Sequence, residues 1–249
     1  MAALWNIVVG TLKEADIVLE VADARCVTDT RSTKLEELVK SMNKKLVLII
    51  NKCDLVPISF LNEIKQNVNC SCVFVSAKKR KGTRELKDAI YMRSKKTKLS
   101  QVCLIGYPNT GKSSIINLLV RKQSAKASSQ PGYTKSTQWI KLQDNIRLLD
   151  TPGVVPSEET FSVFKSGIRP ETSGDIERYA EELLENIKHA QGNNLTDFYN
   201  IKYDDVDQFL ETLAKKMGYM LKGGIPDTVK AARKLIIDWN NGAVTAWRL

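Results

Sequence analysis

Gly106-Tyr107-Pro108-Asn109-Thr110-Gly111-Lys112-Ser113 stands between an apolar run, Val102–Ile105, and a helix-period stretch that begins at Lys112. Glycines at both ends of such a loop permit backbone shapes that other residues resist, so the segment reads as a strand, a tight wrap of main chain and a helix. A unit of that kind imposes a layered α/β arrangement on its surroundings. Short β-branched or leucine-rich runs recur at Ile17–Ala22, Leu46–Ile50, Val73–Val75, Trp139–Leu142 and Ile146–Leu149. They alternate with helical periodicity over Ser32–Met42, Ile58–Val68, Thr83–Tyr91 and Lys112–Val120. The alternation predicts an α/β fold, with β-α units around a mainly parallel sheet. Trp139–Leu142 and Ile146–Leu149, joined by Gln143-Asp144-Asn145, read instead as an antiparallel hairpin. From about Ser157 the pattern is helical only: Ile176–His189, Val206–Met217 and Pro226–Asn240, with Pro226 in the first turn. The chain, at 249 residues, exceeds the usual domain size of roughly 100–200. The change of pattern predicts an α/β domain over residues 1–157 and an all-helical domain over residues 158–249.

Composition narrows the function classes. Hydrophobic residues make up 43% and charged residues 27%, as in ordinary globular chains, which excludes fibrous and disordered classes. No apolar run approaches the roughly 20 residues of a membrane span, and Met1–Gly10 lacks the basic start of a secretion signal. A cytoplasmic protein with no membrane partner is expected. Five cysteines without a C-x-x-C pair, and a single histidine, fit neither a disulfide framework nor a zinc site. Cys70 and Cys72 read as reduced thiols at a core edge, and His189 as a residue closing a polar helix. The four tryptophans, Trp5, Trp139, Trp239 and Trp247, read as packing anchors, because no aromatic interleaving accompanies the basic runs.

The net charge of +10 is unevenly spread, at +13 over residues 1–157 and −3 over residues 158–249. Ten basic residues lie between Lys78 and Lys98 against only Glu85 and Asp88, a cluster able to attract phosphate backbones or simply to be solvated. The later segment keeps a basic stretch of its own, Lys215, Lys216, Lys222, Lys230, Arg233 and Lys234, opposed by Asp227.

The loop from Gly106 to Ser113 fits G-x-x-x-x-G-K-[ST]. Its backbone N–H groups can cradle phosphate oxygens, its lysine can reach the β- and γ-phosphates, and its hydroxyl can ligate Mg²⁺. Asp150-Thr151-Pro152-Gly153 ends the run Ile146–Leu149, where an aspartate can hold the Mg²⁺ water shell and the Gly153 N–H can meet the γ-phosphate. Asn51-Lys52-Cys53-Asp54 ends another apolar run. N-K-x-D suits guanine, since the Asp54 carboxylate can accept from both the ring N1–H and the exocyclic amine, a donor pair that adenine lacks. An adenine-specific ATPase would leave Asp54 idle. Ser76-Ala77-Lys78 follows a third run. All four loops fall where parallel strands end, the place at which open α/β sheets bind ligands.

Conventional GTPases run phosphate loop, switch threonine, D-x-x-G, N-K-x-D and S-A-K, whereas here N-K-C-D and S-A-K come first. In that order the sequence resembles the circularly permuted GTPases of the YlqF/RbgA type, ribosome-biogenesis factors that act on the large subunit. The resemblance covers nearly the whole chain. It includes Asp23-Ala24-Arg25, Pro131-Gly132-Tyr133-Thr134 with Gln138, and Leu221-Lys222-Gly223-Gly224-Ile225-Pro226-Asp227 with Ala231-Ala232. Family members carry a proline two residues after D-A-R where this chain has Val27, which leaves Asp23–Arg31 open as either a structural turn or a partner contact.

The resemblance implies that GTP or GDP is held by Asn51, Lys52, Asp54, Ser76, Ala77 and Lys78 and by Tyr107, Pro108, Asn109, Thr110, Gly111, Lys112, Ser113 and Ser114. Thr134, Asp150 and Gly153 complete the set, with Ser113, Thr134 and Asp150 placed at Mg²⁺. Lys112, Thr134, Gly153 and Asn109 are the expected catalytic residues, Asn109 through a K⁺ ion set where an arginine finger would put its charge. Val154 and Val155 stand where Ras-like proteins orient water with a glutamine, so intrinsic hydrolysis is expected to be slow, near ~10⁻³ s⁻¹. The implied partner is the large ribosomal subunit or its precursor, through rRNA and ribosomal proteins, with a monomer acting and no DNA bound. The other reading open at this point is a GTP-gated RNA- or protein-binding module in which hydrolysis is incidental.

Overall fold

The computed structural model describes residues 2–120, 138–143, 145–150, 163–164, 174–192, 195–203 and 205–249. The chain divides into two compact units, Met1–Thr160 and Phe161–Leu249.

In the first unit the described elements run α1 (Ala2–Glu14), β1 (Ile17–Asp23), α2 (Val27–Thr30), α3 (Thr33–Ser41), β2 (Lys45–Asn51), α4 (Ile58–Asn67), β3 (Cys72–Phe74), α5 (Thr83–Arg93), β4 (Ser100–Ile105), α6 (Lys112–Leu119), β5 (Gln138–Gln143) and β6 (Ile146–Asp150). The strands form one sheet in the order β3-β2-β1-β4-β6-β5. All neighbours are parallel except β5 and β6, the expected hairpin. All seven residues of β1 are buried, as a central strand covered on both faces requires.

Alternating side chains along each strand feed two cores. Ile17, Leu19 and Val21 pack with Leu86 and Ile90 of α5 and Ile115 and Leu119 of α6. Val18 packs on the other face with Val8 and Leu12 of α1 and Leu35 and Val39 of α3. Each such aliphatic side chain contributes about 1.5–3 kcal/mol by leaving water. Pairing of Ile17 with Lys45 and of Asp23 with Asn51 fixes the β1–β2 register, so Asp23 and Asn51 end side by side at the carboxyl edge. Sequence reading missed α1. Its Gly10 and the β-branched Ile7, Val8 and Val9 weaken helical periodicity, while the buried Val8, Leu12 and Ala15 supply the packing that overrides it.

The second unit contains α7 (Ile176–Lys188), α8 (Leu195–Tyr199), α9 (Val206–Lys216) and α10 (Thr228–Asn241) among its described residues. Ile176, Ala180, Leu183, Leu184 and Ile187 make the buried stripe of α7, spaced as an amphipathic helix demands. It packs against α10, in which Ala231, Leu235 and Trp239 are buried, and α10 also contacts α9, in which Phe209 and Leu213 are buried. A buried Asp238 accepts the Tyr199 hydroxyl at 2.7 Å and pairs with Lys234. The first turn of α10 differs from expectation: Asp227 caps the helix by accepting from the Lys230 N–H at 2.9 Å. Pro226 lies one residue outside, bridged to Met220 in a small hairpin, because the aspartate is the stronger N-terminal signal. Among the described residues no helix is long and apolar enough to cross a membrane.

Candidate nucleotide-binding site

β4 delivers the chain into the phosphate loop under tight steric constraint. Gly106 has φ 140°, and a Cβ there would fall 2.5 Å from the Val21 carbonyl of the neighbouring strand. Asn109 adopts φ 61°, a left-handed shape that asparagine tolerates, and its side chain is exposed. Gly111 has φ 98°, and a Cβ there would meet the Asn51 amide nitrogen at 2.2 Å. Thr110 is buried, its hydroxyl donating to the Tyr107 carbonyl at 2.8 Å. Tyr107 itself is anchored in the core under α1 and α3, and Pro108 is half-buried.

Lys112 opens α6 and turns back beneath this loop, its Nζ donating to the carbonyls of Gly106 at 2.6 Å and Tyr107 at 2.5 Å. Desolvation there pulls its pKa from 10.5 down to about 7. An anion seated on the loop would favour the ammonium form and reverse that shift. Ser113 and Ser114 are exposed in the first turn of α6, where free N–H groups and the helix dipole favour negative charge. The donor set fits a nucleotide phosphate with Mg²⁺: backbone wrapped closely at two glycines, one lysine, and a free hydroxyl at Ser113.

The loops after β2 and β3 are joined to the phosphate loop by a single side chain. Asn51 is 2% exposed, its Nδ2 donating to the Thr110 carbonyl at 2.8 Å and its Oδ1 accepting from the Ala77 N–H at 3.2 Å. One amide thus braces three loops with both of its polar ends. Sequence reasoning placed Asn51 at the nucleotide but did not foresee this brace, since its partners lie 59 and 26 residues away. Lys52 follows at φ 61°, and Cys53–Leu55 form a 3₁₀ turn that presents a half-exposed Asp54. The Cys53 N–H donates to the Val75 carbonyl at 3.2 Å, tying this turn to the strand beside it. Ser76 is fully buried and its hydroxyl accepts from the Lys79 N–H at 3.0 Å, so Ser76–Lys81 closes as a tight loop with Lys78 outside.

Asp23, Ala24 and Arg25 form a turn of their own at the end of β1. Both carboxylate oxygens of Asp23 meet the Arg25 guanidinium, at 3.1 and 2.8 Å, and the Lys52 ammonium lies 2.8 Å from Oδ2. Those two cations hold the Asp23 carboxyl far below the usual carboxylate range against a large burial penalty. Val27, standing where the family has proline, is buried at the start of α2. The Thr30 hydroxyl accepts from the Asp23 N–H at 2.9 Å, closing the segment on itself.

Asn51, Lys52, Asp54, Ser76, Ala77, Lys78 and the loop from Tyr107 to Ser114 are therefore gathered at one edge of the sheet. Thr134, Gly153, the Asp150 side chain, Pro131–Tyr133, Val154 and Val155 lie outside the described residues, as do the side chains of Gln138, Trp5 and Trp139. Trp239 is buried against Phe164, the ring centroids 5.9 Å apart. Cys72 lies within β3 rather than before it, and Cys70 sits 3.9 Å from the Arg31 guanidinium.

Comparison with known proteins matches the RsgA GTPase family over residues 6–158 and a 50S ribosome-binding GTPase family over residues 101–219. The latter begins at the strand before the phosphate loop, after N-K-C-D and S-A-K. An uncharacterized GTP-binding protein of Methanocaldococcus jannaschii is 36% identical across 98% of this chain and 66% of its own length. The guanine nucleotide-binding protein-like 3 homolog of Drosophila melanogaster is 36% identical across 94% of this chain and 46% of its own. Nucleolar GTP-binding protein 2 of Saccharomyces cerevisiae is 33% identical across 97% and 52%. The chain thus spans two thirds or less of the length of these relatives. In fold it is similar to GNP-bound YlqF from T. maritima, with a TM-score of 0.68 at 23% identity over 96% of this chain and 94% of that one. With the guanine and phosphate motifs in permuted order at one sheet edge and the family match across most of that unit, the chain belongs to the RsgA GTPases, with the circularly permuted fold of YlqF.

Proposed function

We propose that this protein is a GTP-hydrolysing switch that acts, as a monomer, on the large ribosomal subunit or its precursor. The observation that carries the nucleotide reading is Asn51, whose buried amide fixes the phosphate loop and the S-A-K loop about the turn bearing Asp54. A base held there meets a carboxylate able to pair with two guanine donors. Lys112 and the N–H groups of the loop neutralise the phosphates, and Ser113, Thr134 and Asp150 are the residues to hold Mg²⁺, which supplies charge stabilisation for phosphoryl transfer. Asn109, exposed in the loop, is the residue we assign to K⁺. With valines at 154 and 155, turnover is slow until the ribosomal particle supplies the missing group.

The ribosomal assignment draws support from the matched 50S ribosome-binding family and from the nucleolar relative. Residues 158–249 are the proposed RNA-binding domain, reached directly from the switch around Asp150–Val155, so that γ-phosphate loss reorients it on rRNA. Lys222 and Lys230 are exposed there, beside exposed Leu221 and Ile225, whereas Arg233 is half-buried with its Nε out of solvent. The accessible cations of the Lys215–Lys234 stretch are therefore Lys215, Lys216, Lys222 and Lys230, of which Lys215 lies 3.5 Å from Glu211, rather than Arg233.

Co-sedimentation with purified large subunits, with GTP turnover followed in parallel, tests the reading. Binding should be strongest with a non-hydrolysable GTP analogue, turnover should rise with subunits, and K⁺ should exceed Na⁺ at matched ionic strength. Lys222→Glu with Lys230→Glu should weaken subunit binding and flatten its salt dependence. Failure to bind in any nucleotide state would remove the ribosome from the proposal, and equal rates in K⁺ and Na⁺ would remove the ion.

A further inference from the structure

The ion triad Asp23–Arg25–Lys52, with Asp23 and Arg25 buried, touches the base-recognition turn, and of the three only Lys52 is among the residues assigned to the nucleotide. Arg25 is 1% exposed, the largest side chain among the fully buried ones, and it spends its guanidinium on Asp23. Every part of that carboxylate is occupied: Oδ1 by the Arg25 N–H at 3.0 Å and its Nε at 3.1 Å, Oδ2 by the Arg25 Nη2 and the Lys52 Nζ at 2.8 Å each. A buried arginine and a half-buried lysine sharing one buried carboxylate is a costly arrangement to keep unless the geometry it fixes is needed. What it fixes is Lys52, a non-glycine residue at φ 61°. That left-handed residue swings the chain from the end of β2 into the Cys53–Leu55 turn, so its conformation decides where Asp54 points. The Ala24 N–H also donates to the Asn51 carbonyl at 2.8 Å, locking the two strand ends together. Asp54 in turn lies close enough for its charge to act on the Arg25 guanidinium.

We propose that Asp23 and Arg25 are positioning residues for base recognition: the carboxylate, clamped by the guanidinium, holds the Lys52 ammonium and with it the strained turn that aims Asp54 at guanine. This rests on the GTP reading above and assigns the D-A-R segment a task in guanine selectivity. The Asp23 carboxylate is taken up by Arg25 and Lys52 and bonds no group of the phosphate loop, so the base-specific share of affinity should suffer more than the phosphate share.

The test is displacement of mant-labelled GDP by GDP and by ADP from the wild-type chain, Asp23→Asn, Lys52→Met and the double variant. Asp23→Asn should weaken GDP binding tenfold or more while moving ADP less than twofold, so the GDP:ADP ratio collapses. In the Lys52→Met background the same change should add less than twofold, because Asp23 acts through Lys52. Equal losses for GDP and ADP, or losses from the two single changes that multiply, would overturn the proposal. Should Asp23→Asn fail to fold, Arg25→Lys retains the charge while losing the two-pronged grip; a lowered GDP:ADP ratio supports the proposal, and an unchanged ratio refutes it. A wild-type chain that binds GDP and ADP alike removes the guanine reading itself, an outcome distinct from a wild-type preference that Asp23→Asn leaves intact.

Discussion

At the carboxyl edge of the sheet polar groups are turned inward, whereas the hairpin before α10 turns apolar groups outward. Asn51, Ser76 and Thr110 are at most 2% exposed and each is hydrogen-bonded to a backbone group of the loops. Met220, Leu221 and Ile225 are 47%, 53% and 59% exposed on a hairpin closed by the Leu221 N–H to the Ile225 carbonyl at 2.8 Å. Both arrangements oppose the usual placement of such residues, and for opposite ends. Reading a small ligand with angular precision requires donors and acceptors that are desolvated and braced in advance, since an unmet buried partner discriminates strongly. Engaging a large surface instead requires apolar and basic groups left accessible, their burial deferred until the partner arrives.

The contrast can be broken first at the braced edge. Gly111→Ala would force a methyl group against the Asn51 amide at a φ of 98°. Strain of roughly 3 kcal/mol, and a loss of GDP affinity on the order of a hundredfold, are expected by fluorescence titration; an alanine variant with wild-type affinity would show that the brace is dispensable. Leu183→Ala, in the buried stripe of α7, should cost about 3 kcal/mol through the cavity it leaves, seen as an earlier denaturation of the second unit. GDP affinity should not move, and a parallel loss would mean that the two regions are not energetically separate.

Titration sharpens the comparison further. Because burial lowers the Lys112 pKa from 10.5 to about 7, the folded chain holds fewer protons than the unfolded one between those values. Lys112 therefore destabilises the nucleotide-free fold fully below pH 7, and this penalty fades as pH rises through 10.5. Lys112→Met should be the more stable protein near neutrality, its advantage shrinking by at most about 1.4 kcal/mol per pH unit above pH 7, while losing nucleotide. A constant difference across that range would refute the assignment. The smallest effect is expected at Asp227→Ala, which removes the α10 cap and should lower stability by about 1 kcal/mol without disturbing GDP binding.

Much of this architecture can be read from residue order, and the exceptions have physical causes. Strands such as Ile17–Asp23 announce themselves as short, nearly unbroken apolar runs buried on both faces, and helices such as Ile176–Lys188 by burial that repeats at the helical period. The same signal fails for Ala2–Glu14, whose β-branched residues and glycine are overruled by tertiary packing, and it misplaces Pro226, which is outcompeted by a capping aspartate next to it. Motif spacing brings Asn51, Asp54, Ser76 and the phosphate loop into one neighbourhood. It does not disclose that Asn51 bonds loops 59 and 26 residues distant, nor that Arg25 and Lys52 share Asp23, because those bonds exist only once the sheet has its order.

That order has a consequence for the growing chain. β1 is central in the sheet, between β2 and β4, yet it precedes the sheet's other described strands along the chain. At roughly 5–20 residues per second, one long edge of β1 waits some seconds between the appearance of its partner at Lys45 and that of its other partner at Ser100. Until then the N-K-C-D and S-A-K loops exist without the phosphate loop, so the proposed nucleotide site is incomplete in the nascent chain. An unpaired parallel edge made of Ile, Val and Leu is also a site for mispairing with other chains. The edge of β1 that β4 will cover therefore stays open in the nascent chain until Ser100–Ile105 has been made.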